Sequence, residues 1–230
     1  MKNKLVIRLA RLSDVPAIAE LSRKSYDTPD WDYERAARSQ INNFPEGQFV
    51  AEFGGEIVGT AATFIIDEGA ALKPHSWDEI TGNGLASRHD PDGDYLYGMG
   101  VCVDKRFRRL RIGQRLYDAR RRLCEEWKLK GIVFGGRMPG YARKRNQFKT
   151  PEAYLEAVQE RQTRDSTIQF HLSNGFEPIG VIRNYDPDDH ESLGYAVHWV
   201  WHNPLAEETR ADKSSPQSLT TQDTVRVATV

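Results

Sequence analysis

Apolar residues along this 230-residue chain follow two spacings, one typical of β-strands and one typical of α-helices. Seven short apolar runs predict strands at residues 5–8, 48–53, 56–66, 95–103, 132–134, 177–182 and 195–201. Four segments with helical spacing predict helices at residues 13–26, 33–43, 112–130 and 167–174. The resulting order, β-α-α-β-β-β-α-β-α-β-β, predicts a mixed α/β domain built on one sheet.

Two longer segments interrupt this order and are interpreted as insertions. Residues 67–93 are rich in Gly, Pro, Asp and His, which predicts a loop or a mixed insertion. Residues 137–165 form the second insertion, and the sequence Thr-Pro-Glu at its Thr150 predicts the start of a further helix.

The composition changes after Pro204, so the predicted domain covers residues 1–204. Residues 205–224 are mostly small and polar, which predicts a flexible linker. Residues 225–230 again have a strand-like pattern. They are interpreted as the first strand of a truncated following domain, or as a terminal strand that pairs with this domain's own sheet.

Composition excludes several classes of protein. Apolar residues make up 39% of the chain, charged residues 28%, and the formal net charge is −1, so bulk nucleic-acid binding is not indicated. The two cysteines, Cys102 and Cys124, are interpreted as buried apolar residues rather than a disulfide framework. No metal-binding pattern, signal peptide or membrane-length apolar run occurs, and we expect a cytoplasmic protein without a metal or a membrane partner.

A basic loop between a buried strand and a helix is the main candidate binding site. Residues 106–116 follow the strand 95–103 directly and open the helix 112–130. Such a junction presents unpaired backbone N–H groups and the positive end of the helix dipole, and this arrangement binds phosphate. Gly113 would let the backbone approach the anion closely. The arginines of the helix body are expected to be solvated surface charge: Arg115, Arg120, Arg121 and Arg122.

The pattern Arg108-x-x-Arg111-x-Gly113 resembles the acyl-CoA signature of the GNAT N-acetyltransferase superfamily, Gln/Arg-x-x-Gly-x-Gly/Ala. Arg111 stands where that signature has glycine. The preceding run 101–104 resembles the end of the family's central strand, and Asn174-Gly175-Phe176 resembles its late x-G-F motif. The similarity covers residues 5–203 and implies a GNAT-like mixed, mostly antiparallel, twisted sheet flanked by helices.

The resemblance implies acetyl-CoA as cofactor and an N-acetyltransferase acting on a small-molecule or peptide amine, and it is compatible with a homodimer. The backbone of three strand residues would hold the pantetheine arm, and the loop and helix start would hold the pyrophosphate. The implied cofactor-binding residues are Val101, Cys102, Val103, Arg108, Arg109, Leu110, Arg111, Ile112, Gly113, Gln114 and Asn174.

Acyl transfer also needs proton transfer, because an amine of the lysine type is protonated at neutral pH. The family's usual acid is a tyrosine before the x-G-F motif, and His171 occupies that position. We therefore predict His171 as the catalytic acid, with Tyr185 and Tyr195 as weaker substitutes. The family often places a glutamate near Tyr97 and Met99, where this chain has none. Further candidate bases lie in the first insertion: His75, Glu79, His89, Asp90, Asp92 and Asp94.

Two alternatives to an active transferase remain. A non-catalytic acyl-CoA-binding module that regulates an attached enzyme would explain the atypical catalytic residues. Direct nucleic-acid binding through residues 105–122 is a weaker alternative, because aromatic residues are sparse there. Residues 225–230 resemble the first strand of nitrilase-family carbon–nitrogen hydrolases, and the body resembles the GNAT domain fused ahead of such hydrolases, which implies a covalently attached hydrolase domain as a partner.

Overall fold

The computed structural model describes residues 4–26 and 30–206, and within that range the backbone but not the side chain of Arg108. The predicted linker and final strand lie outside the described residues from residue 207 onward. The strands are β1 Leu5–Leu9, β2 Gln48–Phe53, β3 Glu56–Ile66, β4 Tyr95–Val103, β5 Gly131–Arg137, β6 Glu177–Ile182 and β7 Ala196–His202. The helices are α1 Val15–Tyr26, α2 Tyr33–Asn43, α3 Glu68–Ala71, α4 Trp77–Thr81, α5 Ile112–Glu126, α6 Tyr141–Lys144, α7 Pro151–Gln159 and α8 Ser166–Ser173.

All seven strands form one sheet in the order β1-β2-β3-β4-β5-β7-β6. Every neighbouring pair is antiparallel except β4 and β5, which are parallel. The predicted mixed, mostly antiparallel sheet and its helices are therefore confirmed. The short β2–β3 turn uses Gly54 and Gly55, which both have positive φ and which suit a two-residue hairpin.

The contacts of two successive residues of β2 show which helices cover each face of the sheet. Val50 packs with residues of α1 and α2, such as Ile18 and Ile41. Its neighbour Ala51 belongs to the large core that contains Ile112 of α5. Because successive strand residues point to opposite faces, α1 and α2 cover one face and α5 covers the other.

Helix α5 ends at Glu126, four residues before the predicted end at Lys130. Lys128 adopts a left-handed conformation (φ 55°), and the N–H of Leu129 donates to the carbonyl of Cys124 at 2.9 Å. This is a Schellman-type ending, which satisfies a terminal carbonyl and turns the chain into β5. The composition of residues 127–130 does not reveal it, because no glycine marks the turn.

The two insertions are more ordered than a loop. The first contains the short helices α3 and α4, and the second contains α6 and the predicted helix α7. The buried carboxylate of Asp165 accepts hydrogen bonds from Tyr154 Oη and Gly140 N, both at 2.9 Å. It also caps α8 by accepting from the backbone N–H groups of Thr167 and Ile168. Asp165 therefore fixes the second insertion to α8. Among the described residues, no helix has both the length and the apolar character that crossing a membrane requires.

Candidate active site

Strands β4 and β5 pair over only three positions and then separate. The parallel ladder runs from Tyr95 opposite Gly131 to Tyr97 opposite Val133. Beyond it, β4 continues along β3 as far as Val103, while β5 continues along β7 as far as Arg137. The edges of residues 98–103 and 134–137 therefore face each other across an opening, here called the wedge.

A β-bulge at Met99 shapes the β4 side of the wedge. The register with β3 shifts between Ala62 opposite Gly100 and Thr63 opposite Gly98, which leaves Met99 as the extra residue. The Met99 carbonyl accepts from the indole of Trp77 at 3.3 Å. The predicted pantetheine-binding residues Val101, Cys102 and Val103 follow the bulge, where β4 has no ladder partner on the β5 side within the described sheet.

The predicted phosphate loop opens α5 next to the end of β4. A 3-10 helix, Lys105–Leu110, leads into Arg111, and the first intrahelical bond of α5 runs from Arg115 N to the Arg111 carbonyl. The N–H groups of residues 112–114 precede that bond, so they have no intrahelical carbonyl to bond. These three residues, Ile112, Gly113 and Gln114, belong to the predicted cradle, and the charged residues Arg109 and Arg111 of the same loop are exposed.

Arg111 adopts the left-handed conformation, with φ 54° and ψ 33°. Glycine adopts this conformation without a Cβ penalty, which explains why the resembling signature has glycine at the same place. The side chain of Arg111 is exposed and so is compatible with an anion bound at the backbone.

Gly113 has a packing role that its position in the motif did not reveal. A Cβ at this residue would lie 3.0 Å from Cζ of Phe170 in α8. The absence of a side chain therefore brings α5 and α8 together, in addition to leaving the N–H of residue 113 accessible. Asn174 likewise has a structural role, because its amide donates to the Phe170 carbonyl at 2.8 Å where α8 ends.

His171 lies in the core between α8 and the wedge. Its Nδ1 is 3.0 Å from the hydroxyl of Tyr117, and its Nε2 lies 3.1 Å from the position of a Cβ on Gly136, inside the β5 edge of the wedge. Burial, followed by the charge of Arg120, lowers the pKa of His171 to about 3, so the imidazole is neutral near pH 7. It can exchange hydrogen bonds there but does not carry an imidazolium proton. Its predicted catalytic role stays a prediction.

The expectation that Arg120 is solvated is wrong. Arg120 is only 1% exposed, because it lies on the same inner face of α5 as Leu116 and Leu123. Its guanidinium donates to the carbonyls of Gly100 at 2.6 Å and Ala62 at 2.8 Å, at the bulge. No described carboxylate lies within ion-pair distance, and its Nε has no hydrogen-bond partner among the described residues.

Arg121 is also not simply solvated. Its guanidinium lies over the rings of Phe176 and Trp201, 5.7 Å and 5.4 Å from their centroids, and donates to the Asn174 carbonyl. The apolar pattern did not reveal these positions because arginine is polar by composition, whereas its stem and planar head pack well against aromatic rings.

Most candidate bases of the first insertion have structural roles. Asp94 pairs with Lys130 at 2.9 Å, Asp90 accepts from the backbone of Asp92 in a turn, and His89 stacks on Phe44. These contacts keep them away from the wedge.

His75 is the exception. Its Nε2 is 2.7 Å from the hydroxyl of Tyr97, which is 3.1 Å from the hydroxyl of Tyr185. Two candidates that are far apart in sequence, His75 and Tyr185, are thus joined through Tyr97, which the sequence did not indicate, whereas Tyr195 packs away from them against Tyr141.

The two cysteines are free and buried, which confirms their interpretation as apolar residues. Burial raises the pKa of the Cys102 thiol. Among the described residues, no cluster of His, Cys, Asp and Glu could hold a metal ion.

A sheet that opens between two parallel strands beside an unsatisfied helix N-terminus defines a site for a phosphorylated, extended cofactor. The model of the Acetyltransferase (GNAT) family matches residues 15–143, which is more than half of the chain. The chain belongs to this family. That membership, together with the isobutyryl-CoA complex of one structural relative, supports a CoA-linked acyl donor.

Three similar proteins place the chain within the family. It is 37% identical over 203 residues to the probable hydrolase YhcX of Bacillus subtilis, which covers 88% of this chain but only 39% of that protein. It is 31% identical over 204 residues to the uncharacterized N-acetyltransferase YkwB of the same organism, covering 86% of this chain and 89% of that one. The structure of the GNAT-like decarboxylase GphF in complex with isobutyryl-CoA is 28% identical, with a TM-score of 0.75, covering 86% of this chain and 99% of that chain.

Proposed function

We propose that this chain binds acetyl-CoA, or a close acyl-CoA, in the wedge and transfers the acyl group to the amine of a small molecule or peptide. The observation that carries the proposal is the separation of β4 from β5 beside the N-terminus of α5. Free strand-edge groups suit the amides of pantetheine, and free helix N–H groups suit the pyrophosphate.

The cofactor contacts come mainly from the backbone. The edge of Val101, Cys102 and Val103 takes the pantetheine arm, and N–H groups between Arg108 and Gln114 take the pyrophosphate. Arg109 and Arg111 are exposed next to this loop and add positive charge to the mouth of the site. The neutral His171 then acts as a hydrogen-bonding group on the α5 side of the wedge.

Two measurements test binding and turnover separately. Calorimetry with acetyl-CoA and isobutyryl-CoA is expected to show binding, and a thiol-release assay with a panel of amines is expected to show CoA release. Background reaction of the assay reagent is expected to be small, because both cysteines are buried. Failure of every acyl-CoA to bind would disprove the site. Binding without release would instead support the non-catalytic regulatory module.

A second candidate function is the decarboxylation of an acyl-CoA that carries a carboxylate on its acyl group. Two observations favour it: the 28% identity to the decarboxylase GphF, and the buried guanidinium of Arg120 beside the wedge without a carboxylate partner among the described residues. In this reaction the bond to the carboxylate carbon breaks, carbon dioxide leaves, and the thioester enolate takes up a proton.

Mass spectrometry of malonyl-CoA incubated with the protein distinguishes the two reactions. Appearance of acetyl-CoA without any amine would support decarboxylation, and an Arg120→Met variant should then lose it. If malonyl-CoA is unchanged while acetyl-CoA acylates an amine, the decarboxylase candidate is rejected.

The similarity to YhcX supports a further proposal about the whole protein. Because the chain spans about two fifths of that probable hydrolase, we place it ahead of an attached carbon–nitrogen hydrolase domain in a cytoplasmic bacterial protein. Mass spectrometry of the protein isolated from its source would show a chain much longer than 230 residues if this is correct.

A further inference from the structure

A buried chain of hydrogen bonds reaches the wedge on the face opposite His171. It consists of His75, Tyr97 and Tyr185, and it is called the relay below. Phe134 of β5 packs against His171, so the next residue, Gly135, points to the other face. The phenol of Tyr185 covers Gly135 there, since a Cβ on this glycine would lie 2.3 Å from the Tyr185 ring.

One backbone carbonyl fixes the direction of every hydrogen bond in the relay. The Lys73 carbonyl can only accept, so His75 Nδ1, 2.7 Å away, must carry a hydrogen. In neutral His75 the Nε2 atom therefore accepts, and the Tyr97 hydroxyl donates to it at 2.7 Å. Tyr97 has no second hydrogen, so the Tyr185 hydroxyl must donate to Tyr97 Oη at 3.1 Å.

The outer end of the relay lies where β4 and β5 separate. Tyr97 is the last β4 residue in the parallel ladder, and Gly135 is two positions beyond the last paired residue of β5. Burial raises the pKa of both hydroxyls, and the backbone of Gly135 opposes this with a smaller downward effect. Because Tyr185 Oη donates to Tyr97 and accepts from neither Tyr97 nor His75, it has acceptor capacity for the proton of a group bound at this point.

The loop that carries Tyr185 is held rigidly. The backbone N–H of Tyr185 donates to the Gly194 carbonyl at 2.8 Å, and the Tyr185 carbonyl accepts from Trp77 N at 2.7 Å. Arg137, at the end of β5, donates twice to the buried carboxylate of Asp189 in the same loop. These contacts pre-organise the hydroxyl.

We propose that Tyr185 is the catalytic proton acceptor for the amine substrate, and that Tyr97 and His75 are positioning residues that pass the proton inward. The inference rests on the proposed transfer to an amine. The substrate ammonium gives a proton to Tyr185 Oη, Tyr185 gives its own to Tyr97, and Tyr97 gives its own to His75 Nε2, which becomes imidazolium.

Acyl transfer follows this deprotonation. The neutral amine attacks the thioester carbon, the C–N bond forms and the C–S bond breaks. The departing thiolate takes the second amine proton and leaves as CoA thiol. His75 then returns its extra proton through Tyr97 and Tyr185 to water that enters the wedge, which restores the neutral relay. The surroundings of His75 favour transient rather than permanent protonation. Burial lowers the pKa of His75, and the Glu79 carboxylate opposes this effect. The ring centroid of His198 lies 5.5 Å from that of His75. His198 is itself neutral near pH 7, since burial lowers its pKa to about 4.

The test compares amines of different basicity in the full chain. For an amine that is protonated at the assay pH, Tyr185→Phe should lower kcat by about a hundredfold, the scale of a lost general base, with KM for acyl-CoA unchanged. For an aromatic amine that is already neutral, the loss should be less than about threefold, because no proton has to be removed before attack. His75→Gln should show the same split, and a merely structural role would lower both rates equally.

Matched controls come from the same chain. Tyr141→Phe removes a hydroxyl from another buried tyrosine, and His198→Gln changes the neighbouring buried histidine. Neither control should lower kcat more for the protonated amine than for the neutral amine. If Tyr185→Phe lowers kcat equally for the two amines, or not at all, the relay is overturned. The proposed function would still stand in that case, provided that the wild type acylates an amine. A wild type that binds acyl-CoA but acylates no amine would overturn both.

Discussion

The imidazole Nδ1 of His171 lies 3.0 Å from the hydroxyl of Tyr117, and both side chains are buried beside the wedge. His171 belongs to α8 and Tyr117 to α5, so this contact joins the two helices that frame the α5 side of the site. It also keeps a histidine in an apolar environment, which has a consequence for stability.

The free energy of unfolding is expected to fall as the pH falls below about 6.5. The folded pKa values of His171 and His198 are about 3 and about 4, below the ordinary value of 6.5 that applies to the unfolded chain. Between the folded and the unfolded pKa values, the unfolded state binds more protons than the folded state. The contribution of these histidines to the free energy of unfolding is therefore complete above pH 6.5 and is lost as the pH falls toward 4. Each histidine contributes about 1.4 kcal/mol per pH unit within this range.

Urea denaturation followed by circular dichroism at several pH values measures this dependence. His171→Gln should reduce the slope by about one proton relative to the wild type. His202→Gln, at an exposed histidine, makes the same substitution outside the core and serves as the comparison. An unchanged slope in His171→Gln would contradict the burial argument.

Arg111→Gly is expected to stabilise the fold and to lower acyl-CoA affinity by less than about tenfold, because the loop loses one charge but keeps the backbone N–H groups that would hold the pyrophosphate. The left-handed conformation costs a residue with a side chain about 1–2 kcal/mol, whereas the added flexibility of glycine costs about 0.5–1 kcal/mol, so the net gain is about 1 kcal/mol. Thermal unfolding and calorimetry with acetyl-CoA check the two parts. Arg109→Gly, at an exposed neighbour without positive φ, should give no gain. A large loss of affinity in Arg111→Gly would show that this guanidinium contacts the cofactor.

Gly113→Glu is expected to lower acyl-CoA affinity at least about tenfold, because it places a carboxylate at the N–H groups that would hold the pyrophosphate. The matched control is Gly113→Ala combined with Phe170→Leu, since the added Cβ alone would lie 3.0 Å from Phe170. The double variant fills the same position without charge and relieves the contact. If both variants bind acyl-CoA like the wild type, the cradle is assigned to the wrong loop.

Asp165→Ala is expected to destabilise the domain by about 2–4 kcal/mol, because it leaves the buried donors of Tyr154 and Gly140 unpaired and removes the cap of α8. Thr150→Ala removes only the exposed cap of α7 and should cost about 1 kcal/mol. Chemical denaturation of both variants measures the difference. Similar small losses would show that Asp165 is not the anchor of the second insertion.

Much of the fold could be predicted because the relevant signals are local. Each strand and helix has its own spacing of apolar residues, and the predicted order of elements agrees with the structure. The helix N-terminus at Gly113 was recognisable from a strand, a basic loop and a helix in succession. The end of α5 was missed because the turn at Lys128 depends on backbone bonds that composition does not reveal.

The sequence by itself determined the order of the elements, the junction between β4 and α5, and the family, because these depend on residues that are close together along the chain. Only the tertiary structure decided the environment of Arg120, which is polar by composition and buried by the path of β4. It also decided the meeting of Tyr97 and Tyr185, which are 88 residues apart. Packing the β6–β7 loop on one face of the sheet places Tyr185 against Tyr97 of β4, and no local pattern encodes that proximity.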